Sequence, residues 1–302
     1  MDANSKLKQL AIWSIPVAIV VFVLKYFAYY VTGSVALYSD ALESIVNVIA
    51  AIAAYIAIVI SMKPADEDHP FGHNKAEYFS AVIEGAMIFV AAIMILRESW
   101  PLLASTHLPE KPGYGLGINL AASAINAIWA IVLIKQGRIS HSPALKADGL
   151  HLMTDVFTSF GVLAGLMAAI FTGWAIVDPL LAIIVALNIL WQGFKVMNNS
   201  VQGLMDVGVE LKETMLIKDI ISSHAAGAIE AHDLRTRVAG QVTFIEFHLV
   251  VPSAMTVGNA HDICNRIEDA LKKEIENARI VIHIEPEEEA KLPKGTTAVP
   301  IA

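Results

Sequence analysis

Asp148-Gly-Leu-His151-Leu-Met-Thr-Asp155 sets an imidazole and a carboxylate four positions apart inside an apolar run. Asp40-Ala-Leu-Glu43-Ser-Ile-Val-Asn47 repeats the pattern earlier in the chain. Both read Asp-x-Leu-[Glu/His]-x-x-x-[Asn/Asp]. On a helix, positions i and i+4 share a face, with β-carbons about 5–6 Å apart. Two such faces turned together offer four converging ligands: Glu43, Asn47, His151 and Asp155. Three oxygens and one imidazole suit tetrahedral Zn²⁺, and also Fe²⁺, Mn²⁺ or Co²⁺. With a neutral His151 and ionised acids, the set carries two negative charges, which a divalent cation cancels. The competing reading is a helix–helix hydrogen-bond network without an ion. Ionisable groups in hydrocarbon are costly, and their repetition in two matched frames favours the ion. Asp40 and Asp148 stand three positions before the first ligand of each segment and read as supporting or pathway residues. Glu84 is isolated in another apolar segment and reads as a structural or proton-relay group.

Two further clusters carry metal-binding chemistry. Asp66-Glu-Asp-His69-Pro-Phe-Gly-His73-Asn-Lys75 packs two histidines among acids, so Asp66, His69 and His73 form a candidate Asp-His-His site. A solvated polar loop is the equal alternative. Near the C-terminus come His224, His232, His248, His261 and His283, with Asp233 and Glu285 beside them. His232, His248 and His283 fall at strand ends, and an antiparallel sheet would gather them. Glu285 shares the strand face of His283.

The elements that must hold these residues are mostly apolar. The chain is 56% hydrophobic and 17% charged, below the roughly 25% charged of soluble domains. Spanning helices need about 20 apolar residues, and six segments qualify: Leu10–Val31, Val35–Met62, Tyr78–Leu96, Gly117–Ile134, Leu145–Phe171 and Trp174–Met197. Lys25 falls inside the first and either snorkels or faces the interior. Lys6, Lys8, Lys63, Lys75, Lys135, Arg138, Lys146 and Lys195 flank one side, against Arg97 and Lys111 on the other. The basic side faces the cytoplasm, with both termini. From Asp206 the order becomes α-β-β-α-β, with strands at Glu230–Val238, Gln241–Val251 and Ala278–Ile284. The expected fold is a six-helix transmembrane domain over 1–201 and a cytosolic α+β domain, ferredoxin-like, over 202–290. A disordered tail is expected over 291–302. The acidic balance of the last third disfavours nucleic acid. The single Cys264 permits no internal disulfide and reads as a small core residue.

Together these residues resemble the cation diffusion facilitator family, in particular its bacterial ferrous-iron/zinc efflux branch. The most specific pieces are Thr32-Gly-Ser-Val35, Pro64 to Glu77, Lys146 to Asp155 and Ala231-His-Asp-Leu-Arg-Thr-Arg237. The resemblance implies a homodimer in the bacterial inner membrane that exchanges cytosolic metal for protons by alternating access. Zn²⁺ comes first as substrate and bound ion, with Fe²⁺, Mn²⁺ or Co²⁺ as alternatives. It implies a transport site on Glu43, Asn47, His151 and Asp155, and a loop site on Asp66, His69 and His73. It further implies a dimer-stabilising cytosolic site on His232, His248, His261, His283 and Glu285, and an ion pair between Lys75 and Asp206. The chain departs from the family pattern at Glu43, usually Asp or His, and at Asn47, usually Asp. The departure opens the choice of metal toward harder ions. Ile284 stands where some relatives offer a polar ligand. Two other classes compete: an intramembrane metal-dependent hydrolase, although no His-Glu-x-x-His motif occurs, and a metal sensor that transports nothing.

Overall fold

The computed structural model describes residues 3–32, 35–103, 114–172, 174, 176–291 and 299–300. The side chains of Asp40 and Glu43, inside a described helix, lie outside the described residues. The chain divides into two compact units, Met1–Val201 and Gln202–Ala302.

Six long helices form the first unit: α1 (Ala3–Thr32), α2 (Val35–Ser61), α3 (Ala76–Leu102), α4 (Tyr114–Ile139), α5 (Pro143–Thr172) and α6 (Val177–Leu204). Among the described residues, four of them carry a stretch long and apolar enough to cross a bilayer: Ser5–Val31, Ser44–Ser61, Ala76–Pro101 and Gly117–Ile139. The expectation of six crossings is therefore met for four. Parts of α5 and α6 fall outside the described side chains, and the α5 stretch also carries the acids and histidine of the motif.

The unit is apolar outside and polar within. Trp13, Tyr30, Ile49, Ile128 and Trp191 are exposed, whereas Lys25, Glu77, Glu84, Asn126, Asp148 and His151 are buried. That arrangement suits lipid as solvent, because buried polar groups then face one another rather than hydrocarbon. Lys25, 2% exposed, faces the interior rather than snorkelling. Alanines allow close packing: Ala11, Ala54, Ala130 and Ala144 interleave with Leu7, Ile58, Leu133 and Leu152. Glu77 ties three helix ends together. Its carboxylate accepts from Ser61 Oγ at 2.9 Å and from Ser142 Oγ, and Ser142 also receives the Leu145 N–H at the start of α5.

The second unit contains α7 (Leu211–His224), β1 (Glu230–Ala239), β2 (Val242–Val251), α8 (Val257–Glu274) and β3 (Ala278–Pro286). The sheet order is β3-β2-β1-β4, where β4 is Val299–Pro300. β4 pairs with Glu230 and Ala231 of β1, inside the stretch expected to be a disordered tail. β1 and β2 are antiparallel, joined by a tight turn in which Gly240 takes a positive φ of 58°. β3 runs parallel to β2, not antiparallel as expected, because α8 carries the chain back across the sheet before β3 begins. One face of β2, Ile245, Phe247, Leu249 and Val251, buries against Ile217 and Ile221 of α7 and Ile263, Cys264, Ile267 and Leu271 of α8. Thr256 caps α8 by accepting the Asn259 N–H.

Gly149 sets how closely α5 approaches α4. A β-carbon there would lie 2.8 Å from Ile134 Cγ1, 2.9 Å from the Ile134 nitrogen and 3.0 Å from the Ala130 oxygen. Backbone atoms cannot swing aside, so Gly149→Ala should destabilise the helix pair by about 1–3 kcal/mol. Thermal unfolding of the detergent-solubilised protein, followed by circular dichroism, checks this. An unchanged melting curve would refute the close approach.

Candidate metal centres

In the membrane unit, helical periodicity brings three of the four expected ligands together. Asn47, on α2, lies between His151 and Asp155, on α5, and all three are buried. The Asn47 Nδ2 amide donates to Asp155 Oδ2, and His151 Nε2 donates to Asn47 Oδ1 at 2.8 Å. The opposite amide orientation would set the Asn47 oxygen against the carboxylate, so this assignment is the favourable one. His151 Nδ1 and Asp155 Oδ1 have no hydrogen-bond partner. A buried polar atom left unpaired is expensive, and both of these atom types are metal donors. The arrangement can hold a divalent cation once the amide links open. Glu43, the fourth expected ligand, lies outside the described residues, as does Asp40. Asp148 is buried one turn before His151.

The loop between α2 and α3 brings Asp66, His69 and His73 together. Their ligand atoms all lie within 4.8 Å of one another. The His69 N–H donates to Asp66 Oδ1 at 2.7 Å, and His73 Nε2 stands 3.5 Å from Asp66 Oδ2. A reversal makes this compact, with the Gly72 N–H bonded to the His69 carbonyl and Gly72 at φ 87°. The His69 backbone N–H, followed by the two histidine side chains, holds the Asp66 carboxyl below its ordinary range. It is therefore ionised and ready to ligate.

In the second unit, strand register does the gathering. His232 pairs with His248 across the antiparallel ladder, and His248 pairs with His283 across the parallel one. Three histidines therefore stand abreast, with ring centroids 5.3 Å and 4.9 Å apart. Glu285 reaches across them: Oε2 is 3.1 Å from His232 Nε2, and Oε1 is 2.7 Å from His248 Nδ1 and 3.8 Å from His283 Nε2. His248 Nδ1 and Glu285 Oε2 lack aligned hydrogen bonds despite these distances.

Glu230 was not expected in this cluster, whereas Asp233 was expected as a further oxygen ligand nearby. Glu230, 0% exposed, lies 3.0 Å from His232 Nδ1 and orients the ring so that Nε2 points to Glu285. Its i−2 position on the same strand face was the available signal. Asp233 takes φ 52° at a register shift between His232 and Arg235. Strict alternation would send it to the other face, but the bulge turns it back. The ligand atoms of His232, Asp233 and His248 lie within 4.8 Å of one another. Lys291 Nζ, 2.7 Å from Asp233 Oδ2, holds that carboxyl below its ordinary range.

His261 is exposed on α8, which packs on the sheet face opposite His248, so within one chain it stands apart from the cluster. Ile284 pairs with Leu249 and alternates away from His283. Asp206, the expected partner of Lys75, is paired with Arg237 at 3.4 Å within its own unit.

Residues 11–205 match the cation efflux transmembrane domain, and residues 210–287 match the cytoplasmic domain of cation efflux proteins, a dimer-forming module. The chain belongs to the cation efflux family. An uncharacterized transporter of Synechocystis sp. is 41% identical over 281 residues, 93% of this chain and 91% of its own length. The cation-efflux pump FieF of Yersinia pestis is 33% identical over 279 residues, 92% of both chains. A solved structure of a proposed zinc transporter, CzrB, is 40% identical over 28% of this chain and 98% of its own. Its TM-score is 0.28. This cation efflux protein is thus an integral membrane protein, and its cytoplasmic module makes it a homodimer.

If Glu230 orients His232 for an ion, Glu230→Gln should weaken Zn²⁺ binding at the cytoplasmic cluster about 10–100-fold. Calorimetric titration of the full-length protein would register it. Unchanged affinity would assign Glu230 to folding alone.

Proposed function

We propose that this cation efflux protein exports a divalent transition-metal ion, Zn²⁺ first and Fe²⁺, Mn²⁺ or Co²⁺ as alternatives, in exchange for protons. The observation that carries the reading is the buried Asn47–His151–Asp155 constellation with its unpartnered nitrogen and oxygen. A metal is bound only by the deprotonated forms of His151 and Asp155, so ion and protons compete for the same atoms. From the cytosol the ion displaces protons. On the acidic outer side, protons return and the ion leaves. Asn47 carries no charge, so one fewer carboxylate takes part than in relatives with Asp there, and the proton count per cycle falls accordingly.

Glu43 completes the site in this reading, and α5 and α6 complete six crossings with both termini in the cytosol. The loop set Asp66, His69 and His73 and the cytoplasmic set His232, His248, His283 and Glu285 hold further ions that order the dimer. Pairing of Lys75 with Asp206 would couple the two units. Family membership favours export over hydrolysis or silent sensing.

The test is metal flux in proteoliposomes across Zn²⁺, Fe²⁺, Mn²⁺, Co²⁺ and Cd²⁺, with a pH-sensitive dye inside. Unmutated protein should move metal and protons in opposite directions, and His151→Ala should abolish both. Normal pH-dependent flux in His151→Ala would end this mechanism. Asn47→Asp should release an additional proton for each ion bound. An unchanged ratio would remove Asn47 from the proton count.

A further inference from the structure

Glu84 has no charged neighbour in the sequence, yet in space it has one. Glu77, Ser80 and Glu84 occupy one face of α3 and are all buried. α3 packs on α5, and the Glu84 carboxyl interacts electrostatically with that of Asp148. Both groups are almost wholly buried, at 0% and 1% exposure. One oxygen of each is satisfied. Glu84 Oε1 accepts from Ser80 at 3.0 Å. Asp148 accepts from Ser14 of α1, whose oxygen in turn accepts the Trp129 indole N–H of α4 at 3.0 Å. The other oxygens, Glu84 Oε2 and Asp148 Oδ2, have no hydrogen-bond partner. No lysine or arginine is among the partners of either group among the described residues.

We propose that Glu84 and Asp148 form a second intramembrane site for a divalent cation, between α3 and α5, next to the transport site. Two interacting carboxyls in a dry interior are held either by protonation or by a cation bound to both. Neither Glu84 Oε2 nor Asp148 Oδ2 has a hydrogen-bond donor beside it, which leaves both free to ligate. These two oxygens, on neighbouring helices, suit an ion bridging both carboxylates, with Ser80 and Ser14 holding the other oxygens in place. Asp148 precedes His151 by one turn, about 4.5 Å along the axis. It lies on the side of the Ser142–Glu77 tie, at the end of α5 that follows the basic Lys135–Lys146 connection. The site is a way station between that end and the His151 site. This placement deepens the export reading and rests on it, whereas binding at the pair does not.

The test counts ions on the full-length dimer in lipid nanodiscs equilibrated with radioactive Cd²⁺. Glu84→Gln/Asp148→Asn should bind one Cd²⁺ per chain fewer than the unmutated protein, as should the isosteric single variant Glu84→Gln. An unchanged count in folded dimers overturns the site and leaves a protonated acid pair only. His151→Ala should remove a different ion. If it removes none while Glu84→Gln/Asp148→Asn does, the export reading fails and this site stands. Cd²⁺-soaked crystals of the unmutated protein need no variant. An anomalous peak between Glu84 and Asp148 is expected, and a peak at His151 with none at the pair would overturn the proposal.

Discussion

The membrane unit is organised around burying polar groups able to ligate a metal away from water at a bearable cost. The Asn47 amide meets that constraint. It accepts from His151 on one end and donates to Asp155 on the other, so α2 and α5 are linked by two hydrogen bonds in the ion-free state. An aspartate in its place would face Asp155 with a second negative charge and could donate nothing unless protonated. In the proposed transport site, Asn47 would make the empty state easier to hold and, as a neutral ligand, would weaken the occupied one. A carrier must cycle between the two states, and narrowing the difference between them favours release as much as capture. The close α4–α5 packing at Gly149 and the alanine-lined contacts with α1 and α2 hold this geometry rigid.

The cytoplasmic cluster follows a different logic. There the backbone ladder, rather than helix periodicity, sets the ligands abreast, and strand register tolerates little slip when one face packs on α7 and α8. Three imidazoles with Glu285 and Asp233 make a denser donor set than Asn47, His151 and Asp155. It is also fixed by an oriented ring, since Glu230 holds His232 by its other nitrogen. A rigid, donor-rich site suits an ion that stays, and a site with a neutral, dual-purpose amide suits one that leaves.

The same contrast explains what could be read from the residues alone. The i, i+4 spacing of His151 and Asp155 stated their common face outright, because a helix has one period and an apolar run of that length has few alternatives. Asn47 followed from the repeated frame. The order α-β-β-α-β was legible from alternation and turns. The sheet was harder. His232 at the start of its strand and His248 late in its own meet in an antiparallel pair, but His248 and His283, both late, meet only in a parallel one. The sequence around α8 does not state which edge receives β3. His261 entered the set through the family resemblance, and only the packing of α8 shows that within one chain it lies on the opposite face. Asp233 escaped alternation through a bulge at a non-glycine residue with positive φ, which has no reliable sequence signature. Val299–Pro300 read as tail because two residues carry no periodicity.

Glu84 illustrates a further limit and its remedy. A lone acid in an apolar helix is ambiguous by itself, since a structural hydrogen bond, a proton carrier and a ligand all leave the same trace. Its meaning depends on which helix packs opposite, and that is tertiary information. Once Asp148 is across from it, the ambiguity narrows, because two interacting carboxyls in low dielectric cannot both stay charged without a cation between them. Continuity then follows from spacing. Glu77 at the helix ends, Glu84 with Asp148, and His151 with Asp155 are separated by one or two helical turns. In the export reading, an ion passing along such a series would exchange oxygen ligands stepwise and would not shed its whole coordination shell at once, so the cost of dehydration would be spread along the path rather than met at the transport site alone.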